Sequence, residues 1–499
     1  MNFGRSSGIL LHVTSLPSRF GIGDLGSRSR WFIDFLAHTK QKLWCVLPLG
    51  PTGPDNSPYQ SQSTFAGNPL LISPELLSEH GYISKKDLAL PGNISQRHVN
   101  FGAVRKYKDQ LLKKAFLEFT ETRDYLKFES SNGWWLEPYS VFMSLREANK
   151  GLPWNRFDKR IRPFSETIRF HKFVQYEFAR QWNELRGYCK KREISILGDL
   201  PFYAEHDSAD VWNNPELFDL KTNGQSRTVG GVPPDYFSKD GQRWGTPTYQ
   251  WKKMQKTGFK WWLDRFRMAF ERVDLLRLDH FRGFEAYWSV PANQKTARKG
   301  KWIQGPGKTL FTKVRQELGD LPFVAENLGT ITPKVEELRQ QFGFPGMGVL
   351  QFAFDDDNVH RPCHYLPGMV CFTGTHDNDT TVGWWRALNK SARDKSGKDK
   401  VARVKSYFQT DGSEIHWSFI QAILTSVANT VAVPMQDVLG LGSEARMNMP
   451  GCAAGNWGWR LREKQLTRAI SERLRDLTVV RDVKTNDHNR IISSKSSFS

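Results

Sequence analysis

Eight short apolar runs punctuate this chain of 499 residues, at 9–13, 43–47, 194–197, 275–278, 323–325, 349–354, 370–372 and 431–433. Runs this short and this uniformly apolar suit strands covered on both faces, which is the condition of a parallel sheet. Helical signals fill intervals between them. Residues 31–38 form one and residues 415–427 another. A third begins at Thr332-Pro333, a capping residue followed by proline at the first helical position, with Val335, Leu338 and Phe342 behind it. Eight buried strands alternating with helices predict an α/β fold, a (β/α)8 TIM barrel. The sixth and seventh runs stand too close together for a full helix between them.

Two intervals are too long for ordinary connections. The first, about 50–193, has helical apolar spacing at 107–119 and 170–188, and a helical insertion is expected there. The second, about 201–272, is rich in Gly, Pro and aromatic residues and is also expected to be an insertion. Together they decorate one catalytic unit spanning 1–482. Leu461, Leu466, Ile470, Leu474 and Leu477 predict one stripe of a closing helix. The polar, Ser-rich stretch 483–499 predicts a disordered tail.

Polar residues follow five of the apolar runs: Asp199, Asp279, Glu326, Asp377 and Gln436-Asp437. In such barrels the C-terminal strand ends carry the active site. Three of these carboxylates sit in compact cassettes, Arg277-Leu278-Asp279-His280, Ala325-Glu326-Asn327-Leu328-Gly329 and Gly374-Thr375-His376-Asp377-Asn378. One alone would read equally well as a helix cap or the partner of an arginine. Three at strand ends make a site. Retaining cleavage of a glycosidic bond needs a nucleophilic carboxylate and a protonated one at the leaving oxygen. A third can stabilise the charge that develops on the sugar ring. Arg277 beside Asp279 predicts an ionised carboxylate. The apolar strand before Glu326 predicts the raised pKa of a general acid. His376-Asp377 offers a donor and a charge for sugar hydroxyls, and Asp199 supports the site from a neighbouring strand. The segments 233–238 and 241–245 form an aromatic loop on which sugar faces can pack and which can exclude water. Rings that simply anchor a long loop are the plainer reading of the same segments.

The net charge of +19 comes from dispersed Lys and Arg, densest at 295–301, 395–405 and beyond 481. None of these stretches alternates with aromatics as a single-strand groove would. The charge therefore reads as a solvated surface, with neither nucleic acid nor membrane as partner. Five Cys with no CxxC pair argue against structural zinc and fit a reducing compartment. No apolar run reaches about 18 residues, and no secretory segment opens the sequence. A soluble, cytoplasmic protein is expected.

These residues resemble the 4-α-glucanotransferases, the amylomaltases or disproportionating enzymes of glycoside hydrolase family 77 in the α-amylase clan. The resemblance spans roughly Gly8 to Leu477. It includes the segment 8–18 (GILLHVTSLPS), Ser57-Pro58-Tyr59-Gln60-Ser61, Phe65-Ala66-Gly67-Asn68-Pro69 and Asp207-Ser208-Ala209-Asp210-Val211-Trp212. It continues through the aromatic loop, the three cassettes, Arg446-Met447-Asn448-Met449-Pro450-Gly451 and Gly455-Asn456-Trp457. It implies cleavage of an α-1,4-glucan, a covalent glycosyl-enzyme and transfer to the 4-hydroxyl of another glucan. Carried over by motif, Asp279 is the nucleophile, Glu326 the acid/base and Asp377 the transition-state stabiliser. Asp199, Arg277, His280 and His376 would assist them, and Tyr59, Tyr236, Phe237, Gln242, Trp244, Phe352 and Asn448 would line the glucan subsites. The partners implied are α-1,4-glucans and maltooligosaccharides, with no metal or organic cofactor, and a monomer is expected. The family barrel has helical insertions and lacks a C-terminal β-sandwich. The sequence departs from the family at Val13, where Pro is usual, and at Cys452, where Thr is frequent. Pro54 stands where some members carry an aromatic that forms an outlying glucan site. A hydrolase using the same carboxylates and a glucan-binding protein without catalysis are the rival readings.

Overall fold

The computed structural model describes residues 5–92, 94–95, 97–234, 238–355, 360–452 and 454–495, with side chains up to 481. Eight strands share one sheet: β1 (Ser6–Leu10), β2 (Leu43–Cys45), β3 (Ser195–Leu200), β4 (Leu275–Leu278), β5 (Phe323–Ala325), β6 (Met347–Val349), β7 (Val370–Phe372) and β8 (Thr430–Pro434). All neighbours run parallel, in the order β6-β7-β8-β1-β2-β3-β4-β5. Every residue of β2, β5, β6, β7 and β8 is buried, which explains why each run is short and continuously apolar.

The two ends of that order, β5 and β6, share no ladder among the described residues. The seam is closed by other means. The Ala325 N–H donates to the Pro345 carbonyl at 2.8 Å. The Asn327 side chain stands in for the next rung: its Oδ1 accepts from the Met347 N–H at 2.8 Å, and its Nδ2 donates to Glu336 at 2.7 Å. A (β/α)8 barrel results, latched beside Glu326. Replacing Asn327 with Leu strands a buried donor, and an unmet buried N–H costs about 1–3 kcal/mol. Urea unfolding is expected to show a loss of that size. A change below about 0.5 kcal/mol, the range of an ordinary surface substitution, would remove Asn327 from the account.

Several predicted helices are present with shifted bounds. The first insertion contains Phe101–Leu117, Arg123–Ala148 and Ser165–Lys191. Ser27–His38 and Ile415–Thr425 flank the barrel. Pro333 opens Pro333–Gln341 as expected, but the Thr332 hydroxyl makes no capping bond. The run at 349–354 is strand only at its first residue, and Leu350–Phe354 is a 3-10 turn. The second insertion is not simply helical. Its strands Thr228–Val232 and Gln242–Pro247 join Ala286–Pro291 and Lys301–Gln304 in a four-stranded antiparallel sheet. Gly230 and Gly231 permit this. A Cβ at Gly230 would lie 2.4 Å from the Tyr203 ring, and one at Gly231 would lie 2.3 Å from the Gln242 carbonyl.

After β8 the described chain makes short turns and the final helix Arg468–Lys495, with no further sheet. Leu461 and Leu466 precede that helix and do not share its stripe. The helix runs on through the polar stretch from about Val483 where a disordered tail is expected. Its side chains past 481, and residues 496–499, lie outside the described set. Among the described residues no helix is long and apolar enough to cross a membrane.

Candidate active site

The C-terminal ends of β3, β4 and β5 are joined one residue beyond the strands. The Asp279 N–H donates to the Leu200 carbonyl at 3.1 Å, and the Glu326 N–H to the Leu278 carbonyl at 3.1 Å. This sets Asp279 and Glu326 side by side on adjacent strands. Asp199 and Arg277 face each other in register across β3 and β4. Arg277 Nη1 lies 2.7 Å from Asp199 and 3.0 Å from Asp279, so one buried guanidinium serves two carboxylates. The Tyr59 hydroxyl donates to the same Asp199 oxygen at 2.7 Å.

His280 adopts the left-handed region, φ 50° and ψ 48°. A non-glycine residue held there costs on the order of 1–3 kcal/mol. The conformation turns its N–H onto Glu326 Oε2 at 2.7 Å, while the Leu328 N–H reaches Oε1 at 3.1 Å. The acid/base candidate is thus gripped by backbone donors on both oxygens. The His280 ring is buried between aromatics, 4.9 Å from Trp244 in an edge contact, and burial lowers its pKa to about 3.

Asp377 arrives from the β7 end. It is more open than Asp279, at 46% side-chain exposure against 29%. Asn448 Nδ2 donates to its carboxylate at 2.6 Å. Arg446 donates to the carbonyls of Asp377 and Asn448 at 2.6 and 2.7 Å, tying the β7 loop to the segment after β8. His376 Nε2 lies 3.4 Å from Asp377, and its ring stacks on Tyr59 at 5.1 Å. Burial lowers the His376 pKa, so the imidazole is neutral and can donate without adding charge.

Burial raises both Asp279 and Glu326 well above the ordinary carboxylate range, against the pull of Arg277. Asp279 is raised further by Asp199, Glu326 and Asp377. This corrects the expectation that Arg277 keeps Asp279 ionised by itself. The guanidinium is shared with Asp199, and desolvation outweighs what remains. The two carboxyls therefore titrate as a pair near neutrality. A pair holding one proton supplies one nucleophile and one acid.

Gln242 accepts from Trp244 Nε1 at 3.2 Å, and Trp244 brings this strand to the site through His280. Phe352 packs on His360, and no described contact ties it to the three carboxylates. Tyr236 and Phe237 lie outside the described residues. Asp437 takes no part. It caps the helix Thr381–Ser391 by accepting from the Thr381 N–H at 2.7 Å and from the Thr373 and Thr381 hydroxyls. Arg446, and Trp457 with its ring 6.0 Å from Tyr59 and 6.1 Å from His376, join the site without being candidates from sequence. Their only signal was membership of the Arg446–Gly451 and Gly455–Trp457 motifs. Among the described residues no three His, Cys, Asp or Glu side chains gather as a metal site.

A family model described as 4-alpha-glucanotransferase, glycoside hydrolase family 77, matches residues 11–467. The chain belongs to this family. Its 4-alpha-glucanotransferase relatives include one from Synechocystis sp., 46% identical and covering 95% of this chain and 97% of that one. Another, from Thermus thermophilus, is 44% identical, covering 95% and 98%. A solved amylomaltase from Streptococcus agalactiae in complex with acarbose superposes with a TM-score of 0.91 at 36% identity, over 96% of this chain and 99% of that one. The amylomaltase of Corynebacterium glutamicum, at 18% identity and TM-score 0.79, shares the fold. Family 77 enzymes are retaining transferases, and the chain has their 4-alpha-glucanotransferase activity.

Proposed function

We propose that Asp279 is the nucleophile, Glu326 the general acid/base and Asp377 the transition-state stabiliser of this transfer. The observation that carries the reading is the placement of Asp279 and Glu326 side by side on adjacent strand ends, with Arg277 3.0 Å from Asp279 and 2.7 Å from Asp199. In the first half-reaction an Asp279 oxygen bonds to the anomeric carbon as the glycosidic C–O bond breaks, and the Glu326 proton passes to the leaving oxygen. In the second, Glu326 takes the proton of an acceptor 4-hydroxyl, whose oxygen displaces Asp279. Asp377, open to the cleft and oriented by Asn448, holds sugar hydroxyls and offsets the positive charge on the ring. Arg277 and Tyr59 keep Asp199 and Asp279 in place, and neutral His280 and His376 complete the walls. Gln242 and Trp244 form a platform for the glucan, with Phe352 as further lining.

The substrates proposed are α-1,4-glucans and maltooligosaccharides as both donor and acceptor. All five cysteines are free, which suits a reducing compartment such as the cytoplasm. Incubation with maltotriose is expected to give glucose and a ladder of longer maltooligosaccharides. Shortening without any longer product would make the chain a hydrolase instead.

A further inference from the structure

A second cavity, of about 300 Å³, lies outside the catalytic cleft. Its walls come from the helix Arg123–Ala148, the short helix Ala209–Asn213 with the turn after it, and the start of Lys260–Arg272. At about 30 Å³ per water it holds on the order of ten waters, room enough for a sugar ring. None of the catalytic carboxylates lines it.

We propose that this cavity is a second carbohydrate site, taking a neutral glucosyl segment of an α-1,4-glucan. It goes beyond the transfer reaction and rests on the same glucan reading of the substrate. Trp134 is 47% exposed at its rim, a large ring left in solvent on a rigid helix, with Phe65 braced edge-on at 4.9 Å. Trp261 forms part of a second wall. An aromatic platform with polar groups around it is the usual construction of a site for a ligand with apolar faces and hydroxyl edges.

The polar groups are also placed for hydroxyls. Pro138, one turn past Trp134, has no N–H to give the Trp134 carbonyl, and both residues line the cavity. The Tyr139 hydroxyl, on a side chain 1% exposed, has no hydrogen-bond partner among the described residues. Asn213 and Glu216 also line the cavity. An organic cation is the alternative occupant of an aromatic cage beside carboxylates. Here that role is already filled from within: Lys260 sits 5.7 Å over the Trp134 ring and donates to Asp264 at 2.6 Å. With the internal cation in place, a neutral polyol fits the remaining space.

Calorimetric titration of Asp279→Asn with maltotetraose tests this without turnover. Two sites per chain are expected, falling to one in Asp279→Asn/Trp134→Ala. Asn213→Trp, which plugs the mouth from an exposed position, is expected to act the same way and stands in should the Trp134 variant fold poorly. Trp134→Ala alone is expected to keep wild-type kcat/KM on maltotriose while losing retention in an amylose-containing gel. One site in Asp279→Asn, or two sites that survive both substitutions, would overturn the proposal. Wild-type disproportionation of maltotriose is read separately, so failure of the glucan reading would be told apart from failure of this one.

Discussion

Replacing Asp279 with Asn is expected to lower transfer from maltotriose by at least about 10³-fold, or about 4 kcal/mol of transition-state stabilisation. An amide cannot form the glycosyl ester, and the loss falls on kcat as well as kcat/KM because the missing bond exists only along the reaction path. The fold should survive. Arg277 keeps its 2.7 Å partner Asp199, and the amide relieves a buried carboxyl surrounded by three others. Stability carries a further signature. A carboxyl whose folded pKa is raised binds more protons when folded than when unfolded, so folding stability falls as pH rises from the ordinary carboxylate range to the raised value. The variant lacks that decline. Its thermal midpoint should therefore gain on the wild type as pH climbs towards neutrality and keep the gain above it. An unchanged gap across that window would mean that Asp279 is not held high by burial.

Replacing Glu326 with Gln is expected to be as severe on natural glucans and much milder on donors with a very good leaving group, because only a poor leaving oxygen needs the proton. For an aryl or fluoride donor the first half-reaction should retain most of its rate, while deglycosylation, which needs Glu326 as base, becomes slow. The pH profile should change with it. In the wild type, activity is lost on the alkaline side as the pair gives up its shared proton and on the acid side as the nucleophile gains one. In Glu326→Gln with the fluoride donor, the alkaline limb should disappear and the acid limb remain. Equal loss on every donor would take Glu326 out of the acid/base role.

The sequence made the barrel legible because its strands are buried on both faces. Phe323-Val324-Ala325 is a complete strand in three residues, and each is apolar. Asp279 and Glu326 were legible because each follows such a run directly, whereas Asp377 stands five residues past β7 and was legible from its cassette. What lay beyond reach depends on contacts across the chain. Thr228–Val232 carries two glycines and pairs with Ala286–Pro291 from the far side of β4, so neither propensity nor spacing marked it as strand. The charge state of Asp279 turned on Arg277 being divided with Asp199 of the adjacent strand, which local spacing cannot reveal. The seam latch was invisible for the same reason. Asn327 looked like a spacer within a cassette, yet it supplies the rung that β5 and β6 lack.

The central claim is that Asp279 and Glu326 attend one anomeric carbon, the first as nucleophile. Trapping addresses it directly. Glu326→Gln would be incubated with a 5-fluoro-glucosyl fluoride, digested with pepsin, and the labelled peptide read by mass spectrometry. A single glucosyl ester on Asp279 is the predicted result. A stable ester on Asp377 or Asp199 instead would contradict the account.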